Sequence, residues 1–353
     1  MTRHVNIPVF IPHLGCPNMC VFCNQRTISG VKEFDVSSAR TTIEENLSSL
    51  TPDDEVEIAF FGGSFTGIDR DLMISLLDLT YGYVKTDRVK SIRCSTRPDY
   101  IDCEILDLLK KYGVKTIELG LQSVDERVLE LTKRGHGFAE EKRACELIIE
   151  YGFELVGQMM IGLPFSTPET ELATADFIIQ NGACAARIYP TVVFHDTELC
   201  SMAKCGEYTP LLLDEAIERS AAVLEKFIDA DVNVIRIGLC SSDNLLSDET
   251  YFAGPNHPAL GELVESELYY KRIIKKLSEA QIPEKADVYI FVSPGALSKA
   301  IGQKRKNKIR LLGDPRFRRV FFAERDDVKL YETVIQTKTE IKNVFKIFRA
   351  SRL

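Results

Sequence analysis

The chain has 353 residues, of which 45% are hydrophobic and 27% are charged, and its formal net charge is −8. This length can bury a large core, and the balance of apolar and charged residues excludes chains dominated by disorder, collagen-like repeats or low-complexity sequence. The net negative charge argues against a general nucleic-acid coat protein, although a basic patch can still occur locally.

The sequence predicts a protein of the cytoplasm with no membrane contact. No apolar run approaches the roughly 20 residues of a membrane-spanning helix, and the N-terminal residues lead into a strand pattern without a signal-peptide cleavage region. Ten cysteines in such a chain are better explained as thiols and metal ligands than as a disulfide framework.

The first half of the chain alternates short β-rich segments with segments of helical periodicity. Six strands are predicted, at residues 5–11, 55–61, 89–96, 114–121, 153–161 and 184–190. Nearly continuous apolar strands are typical of a parallel sheet that is buried on both faces. Right-handed βα crossovers then predict an α/β fold, a partial (β/α)6 barrel with its chemistry at the carboxyl ends of the strands.

The rhythm changes after residue 190. A long helical segment, a strand at 232–239, a second long helix, an apolar strand and a basic stretch follow in turn. This order predicts a smaller α+β domain. We therefore expect a barrel domain over residues 1–205 and a C-terminal domain over residues 206–353, with a basic segment at 293–325.

Three cysteines follow the first predicted strand, Cys16, Cys20 and Cys23, in a C-x3-C-x2-C pattern. Soft thiolate ligands select iron-sulfur clusters or zinc, and a closed structural zinc site needs four ligands. A tight triplet without a local fourth ligand favours a [4Fe-4S] cluster with one open iron. Three chance buried cysteines, or zinc with His4 or His13 as a distant fourth ligand, are the alternatives.

A glycine pair ends the second predicted strand, in the order Gly62, Gly63 and Ser64. Glycine lets the backbone approach a ligand closely and expose its polar groups. Such a pair is common in turns, so its position at the end of the second strand is what makes it informative.

The cysteine spacing, Phe22 before the last cysteine and the glycine pair together resemble the radical SAM superfamily. The resemblance implies that the open iron binds the amino and carboxylate groups of S-adenosylmethionine. It also implies that the segment from Gly62 to Ser64 contacts the methionine amino group. A reduced cluster would then cleave S-adenosylmethionine, and the resulting 5'-deoxyadenosyl radical would abstract hydrogen from a substrate.

Further segments resemble the radical SAM part of the Elongator catalytic subunit and its bacterial and archaeal relatives. They are residues 95–100, 118–123, 134–136, 158–164, 187–191, 235–239 and 253–258. The resemblance implies that Gln122 meets the ribose and that Arg134 meets the methionine carboxylate, where a guanidinium offers charge-assisted bonding. Gln158 and Tyr189 would line the cavity, Tyr189 as a hydrogen-atom relay or as a wall.

Two departures from those relatives are informative. Ser95 stands where they carry a carboxylate suited to the ribose, so ribose binding is expected to rest on Gln122 or another group. The 353 residues also leave no room for the acetyltransferase domain of Elongator subunits, so acetylation is not expected as a complete activity. An electron donor such as flavodoxin or ferredoxin is the expected redox partner.

Two other features remain open in the sequence. Cys184, Cys200, Cys205 and Cys240 are loosely spaced and would need the fold to gather them into a second cluster or zinc site. Segment 293–325 carries ten Lys or Arg against two acids, a net +8, as phosphate-backbone binders do. Within it, residues 298–307 follow an apolar strand and faintly resemble the glycine loop of RNA-binding KH folds. Lys304, Arg305 and Lys306 of this segment are the expected contacts with tRNA. A solvated helix face is the alternative.

Together these features predict a radical SAM enzyme that acts on RNA, specifically tRNA. A radical SAM enzyme for a small molecule or peptide is the second hypothesis. A non-catalytic RNA-binding or redox-sensing iron-sulfur protein is the third. Formation of 5'-deoxyadenosine separates the two enzyme hypotheses from the third.

Overall fold

The computed structural model describes residues 3–11, 15–16, 20–23, 34–239, 247, 249–280 and 282–337. The contacts divide the chain into two compact units. Unit 1 comprises Met1–Ala216 and Lys226–Pro258, and unit 2 comprises Ile217–Glu225 and Ala259–Leu353.

Unit 1 is built on a seven-stranded sheet with the order β1-β2-β3-β4-β5-β6-β8, in which every neighbouring pair is parallel. Its strands are β1 His4–Phe10, β2 Glu55–Phe61, β3 Ser91–Thr96, β4 Val114–Gln122, β5 Glu154–Ile161, β6 Ala185–Pro190 and β8 Asn233–Ile237. A short antiparallel pair, β7 Val193–Phe194 and β9 Tyr251–Ala253, accompanies it. The sheet curls into a partial barrel, which confirms the predicted fold class.

Helices follow the strands and cover the sheet, as a parallel sheet requires. They are α1 Val36–Ser48, α2 Arg70–Lys85, α3 Cys103–Lys111, α4 Glu126–Leu131, α5 Phe138–Glu150, α6 Pro168–Gln180, α7 Glu198–Cys205 and α8 Leu213–Asp229. Their beginnings are encoded locally: the Asp102 side chain accepts a hydrogen bond from Ile105 N at 2.8 Å, which caps α3. Thr167 caps α6 in the same way, and Pro168 occupies its first turn.

The structure differs from the predicted domain boundary at residue 205. Strand β8 joins the first sheet by parallel pairing with β6, with Ala185 opposite Asn233 and Ile188 opposite Ile237. The parallel sheet therefore has seven strands, and unit 1 reaches residue 258. Two helices separate β6 from β8 in the chain, and no local period in the sequence shows which strand a distant segment will pair with.

Unit 2 contains a three-stranded sheet covered by helices. Its described elements are α9 Leu260–Glu279, β10 Ala286–Val292, α10 Leu297–Ile301, α11 Lys306–Leu312, β11 Phe317–Glu324 and β12 Thr333–Thr337, together with the middle of α8. Strand β10 is central, parallel to β11 and antiparallel to β12. Tyr269 and Ile273, one turn apart on α9, pack with the alternate residues Val288 and Ile290 of β10. The predicted α+β character is thus present here.

Among the helices that the structure describes, none combines the length and the apolar character needed to cross a bilayer.

Candidate active site

The segment that carries Cys16 packs closely on the turn after β2. Gly15 has φ +79°, and a Cβ atom there would lie 2.4 Å from the carbonyl oxygen of Ser64. A Cβ atom on Gly67 would lie equally close to the carbonyl oxygen of Gly15. Glycine is therefore required where these backbones meet. As a result, Cys16 Sγ lies 3.3 Å from Ser64 Oγ. The first cysteine therefore lies next to the glycine-pair turn, at the edge of the sheet where the strands have their carboxyl ends.

Cys20 lies beside two arginines. Arg134 Nη1 donates to Cys20 Sγ at 3.3 Å, and Arg97 Nη1 lies 3.9 Å from the same sulfur. The backbone of the following residue is fixed from both sides, because Val21 N donates to Thr132 O at 3.2 Å and Val21 O accepts from Leu199 N at 2.8 Å. The loops after β1, β3 and β4 therefore converge on this thiol.

An ionic network lies behind Arg97, in which Arg97, His136 and Glu141 are buried and Asp99 is partly exposed. The guanidinium donates to both oxygens of Asp99, at 2.9 and 3.0 Å, and to the carbonyl oxygen of Arg134. His136 Nδ1 lies 3.3 Å from Asp99 Oδ1, and His136 Nε2 lies 3.3 Å from Glu141 Oε1. Burial alone would raise the pKa of Asp99, but hydrogen bonds from His136 and Arg97 outweigh it and hold that pKa well below its usual range. Burial raises the pKa of Glu141 to about 7.

A second polar network lies among the strands of the sheet, centred on the buried carboxylate of Glu118. Arg187 donates to it through Nε at 2.7 Å and Nη2 at 2.9 Å, and Arg93 Nη1 donates at 3.0 Å. Gln158 Nε2 also donates to Glu118 at 3.0 Å and to Ser95 Oγ at 2.8 Å. The structure thus brings together Ser95 and Gln158, two of the predicted cofactor residues.

Two of the residues predicted to contact S-adenosylmethionine have a buried polar atom without a hydrogen-bond partner in the described part of the chain. Gln122 ends β4 with φ +75°, and its buried Oε1 has no hydrogen-bond partner in the described part of the chain. The same is true of Arg134 Nε, although Arg134 Nη2 donates to Gly120 O at 2.5 Å. Buried polar atoms of this kind need a partner, because each costs about 1–3 kcal/mol unpaired. A ligand with carboxylate and hydroxyl groups would supply partners.

The cysteine loop fits a cluster by its chemistry. Within the ranges that the structure describes, no three His, Cys, Asp or Glu side chains are arranged to hold a metal ion as they stand. Three thiols on one loop, with two guanidinium groups beside Cys20, are nevertheless a donor set suited to an iron-sulfur cluster. Binding sites of this kind commonly form only as the metal binds. His13, the proposed distant zinc ligand, lies outside the described residues, and His4 is engaged with Glu57 Oε2 at 3.2 Å.

Two further predicted site residues are Phe22 and Tyr189, and their surroundings differ from each other. Phe22 packs in an apolar cluster with Val21, Val193, Leu199 and Cys200. Tyr189 is the penultimate residue of β6, and burial raises the pKa of its phenol group, while Arg187 opposes that shift. Its relay role therefore stays a prediction.

The later cysteines that the structure describes do not form a second site. Cys200 belongs to the apolar cluster with Val21. Cys184 Sγ donates to Leu155 O and Cys205 Sγ to Met202 O, each at 3.4 Å. Their thiols contact separate backbone carbonyls or pack in the core, so the structure does not bring these three together as metal ligands. Cys240 lies outside the described residues.

Comparison with protein families decides the class to which this site belongs. The family model described as "Radical SAM superfamily" matches residues 10–178, and the one described as "Radical_SAM C-terminal domain" matches residues 184–270. The chain belongs to the radical SAM superfamily. Radical SAM proteins are enzymes that use a [4Fe-4S] cluster and S-adenosylmethionine, and these are the cofactors of this one.

Relatives within this superfamily include proteins from archaea and eukaryotes. The tRNA uridine(34) acetyltransferase of Methanocaldococcus infernus is 29% identical over 199 residues, 51% of this chain and 37% of that protein. Elongator complex protein 3 of Homo sapiens is 29% identical over 254 residues, 60% of this chain and 46% of that protein. This radical SAM chain thus spans less than half the length of these two curated relatives.

A solved structure shows the same fold. It is the Methanocaldococcus infernus Elp3 with an N-terminal deletion of residues 1–46, with a TM-score of 0.61 and 24% identity, covering 78% of this chain and 64% of that chain. This likeness confirms the radical SAM half-barrel.

Sequence reasoning missed the partners that hold the site together. Arg97, Asp99 and His136 lie within segments that carry the Elongator resemblance, 95–100 and 134–136, yet in these two segments only Ser95 and Arg134 are predicted site residues. For Glu141, the only sequence feature that could have indicated a role is its charge at a position on the inner face of α5. Its full burial is visible only in the structure.

Proposed function

We propose that this radical SAM enzyme cleaves S-adenosylmethionine reductively and abstracts a hydrogen atom from a nucleoside of tRNA. The observation that carries the proposal is the convergence of Cys16 with Ser64 and of Cys20 with Arg134 at one edge of the sheet. The names of the homologous proteins, a tRNA uridine(34) acetyltransferase and Elongator complex protein 3, support tRNA as the substrate class.

The residues divide the work between them. Cys16, Cys20 and Cys23 would hold the cluster, and Gly62, Gly63 and Ser64 would receive the amino group of the cofactor. When bound, the cluster and S-adenosylmethionine supply the one-electron chemistry that side chains cannot perform.

The cofactor's other polar groups would meet atoms that lack partners. Arg134 Nε and Gln122 Oε1 are buried and unsatisfied among the described residues, so they are suited to the carboxylate and the ribose. Ser95 and Gln158, already joined at 2.8 Å, form the neighbouring polar wall in place of the carboxylate that relatives carry. The curled sheet then excludes water from the reacting atoms.

The basic loop of unit 2, residues 304–306, is the proposed contact with tRNA. Lys304 and Arg305 follow Gly302 with φ +50° and +63°, and the side chains of residues 304–306 are exposed. The loop is fixed from inside by buried Asn307, whose Nδ2 donates to Ser266 O at 2.7 Å and to Ala300 O at 3.2 Å. A rigid turn that presents three adjacent cations is suited to neighbouring phosphates.

Two measurements test the proposal. Reconstituted protein with dithionite and S-adenosylmethionine should yield 5'-deoxyadenosine, and its absence from a protein with a full cluster would contradict the cleavage chemistry. Mass spectrometry of tRNA nucleosides from cells with and without the protein should show one modified nucleoside that depends on it. Identical nucleoside profiles together with 5'-deoxyadenosine formation would move the substrate to a small molecule or peptide. A reductant of the flavodoxin or ferredoxin type and a cytoplasmic location complete the proposal.

A further inference from the structure

We propose that Arg97 is a positioning residue that sets the reduction potential of the cluster, and that Asp99 opposes it by neutralising part of its charge. The proposal rests on Cys20 as a cluster ligand, a part of the proposed function that is independent of the RNA substrate.

The geometry places Arg97 between the Cys20 thiol and the carboxylate of Asp99. The residue is only 4% exposed, its Nη1 lies 3.9 Å from Cys20 Sγ, and its Nε and Nη2 hold both oxygens of Asp99. One edge of the planar guanidinium thus faces the sulfur while the other edge is held by the carboxylate. A forked pair of this kind is rigid, so the distance from the charge to the sulfur is fixed.

The pair is itself braced from behind. His136, whose side chain is fully buried, contacts Asp99 through Nδ1 and Glu141 through Nε2. The carbonyl oxygen of Arg134 accepts from Arg97 Nη2, which ties the pair to the second guanidinium at Cys20. A side chain with this many partners in a buried place is held for its position as well as its charge.

The charges predict opposite effects from the two partners. One-electron reduction adds a negative charge to a cluster, and a nearby cation stabilises the reduced state. Removing the Arg97 charge should make reduction harder. Removing the Asp99 charge should make it easier, because the guanidinium then acts on the sulfur without a counter-charge. A merely structural role would disturb the site in the same direction for both substitutions.

The test is a redox titration of the reconstituted protein, with dithionite as the electron donor and electron paramagnetic resonance of the reduced cluster as the readout. We expect Arg97→Gln to lower the midpoint potential and Asp99→Asn to raise it. Each substitution should change the equilibrium constant of one-electron reduction at least tenfold, which corresponds to a potential shift of about 59 mV. Arg97→Lys, which keeps the charge, should stay near the wild-type value, and the double variant Arg97→Gln with Asp99→Asn should return toward it.

A matched control is available at the opposite end of the first strand. Arg3 forms a similar forked pair with Asp54, at 3.0 and 3.3 Å, before β1 begins. Arg3→Gln removes an equal charge at the amino edge of the sheet and should leave the potential unchanged.

The outcomes separate cleanly. Opposite shifts with normal iron content support the proposal. The proposal is overturned if Arg97→Gln and Asp99→Asn shift the potential with the same sign, leave it unchanged, or both lose the cluster. In each case the pair would hold the structure of the site without setting the reduction potential. If Cys20→Ala retains its iron, Cys20 is not a ligand, and the failure lies in the ligand assignment.

Discussion

Glu141 is a buried carboxyl group with one oxygen at His136 and the other without a hydrogen-bond partner among the described residues. Burial raises its pKa from the ordinary 4.5 to about 7, so the folded protein keeps a proton that the unfolded chain releases earlier. The stability that this group contributes is therefore full below about pH 4.5 and is lost as the pH rises through about 7.

We predict that Glu141→Gln abolishes this pH dependence, because an amide keeps the shape and cannot ionise. The free energy of unfolding of the variant, taken relative to wild type, should be larger at about pH 8 than at about pH 5. Urea unfolding at both pH values measures the difference. Glu146→Gln, an exposed position on the same helix, is the control and should show no such trend. Equal stability differences at both pH values would contradict the burial argument.

The cluster ligands can be tested one by one. We predict that Cys16→Ala, Cys20→Ala and Cys23→Ala each lower the iron content after anaerobic reconstitution, because three ligands leave none to spare. Iron and sulfide counting with the absorbance of the cluster provides the measurement. Cys205→Ala is the control, since that thiol is exposed and donates to Met202 O. Unchanged iron in any of the first three variants would remove that residue from the ligand set.

At the scale of elements, the ends of β1 and β2 meet at a glycine, Gly62, where any side chain would be strained. Gly62 has φ +110°, and a Cβ atom there would lie 2.5 Å from the carbonyl oxygen of Ile11. Both the backbone conformation and the contact exclude a side chain. This close approach is what brings the turn after β2 to the loop that carries the first cysteine.

We predict that Gly62→Ala lowers the free energy of unfolding by at least about 1 kcal/mol, because strain and overlap act together. Gly82→Ala should have the opposite sign. Gly82 lies inside α2, where a Cβ atom would meet nothing within 4 Å, and alanine favours a helix by about 1 kcal/mol. Denaturant unfolding of both variants measures the pair of effects. A Gly62→Ala protein as stable as wild type would show that the two loops can separate without cost.

At the scale of the whole molecule, charge is distributed unevenly, and pairing reduces the basic segment. The chain carries −8, while residues 293–325 carry ten cations. Several of those cations are held by carboxylates: Arg310 by Glu267, Arg316 by Asp314, Arg318 by Asp287, Arg325 by Asp327 and Lys299 by Glu265. Within the described ranges, Lys304 and Arg305 form no ion pair. Two of the cations without an ion pair thus belong to the basic loop, while Lys308 and Arg319, which likewise form none within the described ranges, lie outside it.

We predict that tRNA binding falls steeply with salt and that replacing Lys304, Arg305 and Lys306 by Ala lowers the slope by roughly two to three units, at slightly under one unit per phosphate contact. Mobility shifts with total tRNA at several salt concentrations measure the slope. The control triple variant replaces Arg316, Arg318 and Arg325, which removes the same charge from paired positions and should change the slope less. Equal slopes for wild type and the loop variant would make the loop a solvated surface.

The sequence by itself determined the features that depend on neighbouring residues. The six strands of the first half are found within a few positions of their predicted ranges, because a strand buried on both faces must be apolar along its length. The cysteine spacing and the glycine pair are equally local, since a metal-binding loop and a close backbone approach need their residues within one short segment. These local signals predict the half-barrel and the iron-sulfur cluster, and the resemblance that they carry to the radical SAM superfamily implies S-adenosylmethionine.

Only the tertiary structure decided which distant segments meet. Three features join residues that are far apart in sequence or separated by a turn. They are the pairing of β8 with β6, the series of contacts from Arg97 through Asp99 and His136 to Glu141, and the ion pairs that neutralise half of the cations in the basic segment. The reason is physical: hydrogen bonds and ion pairs form between whichever groups the packed core brings within about 3 Å. A carboxylate in the sequence has the same letter whether it is solvated, pairs with an arginine or is buried with a proton.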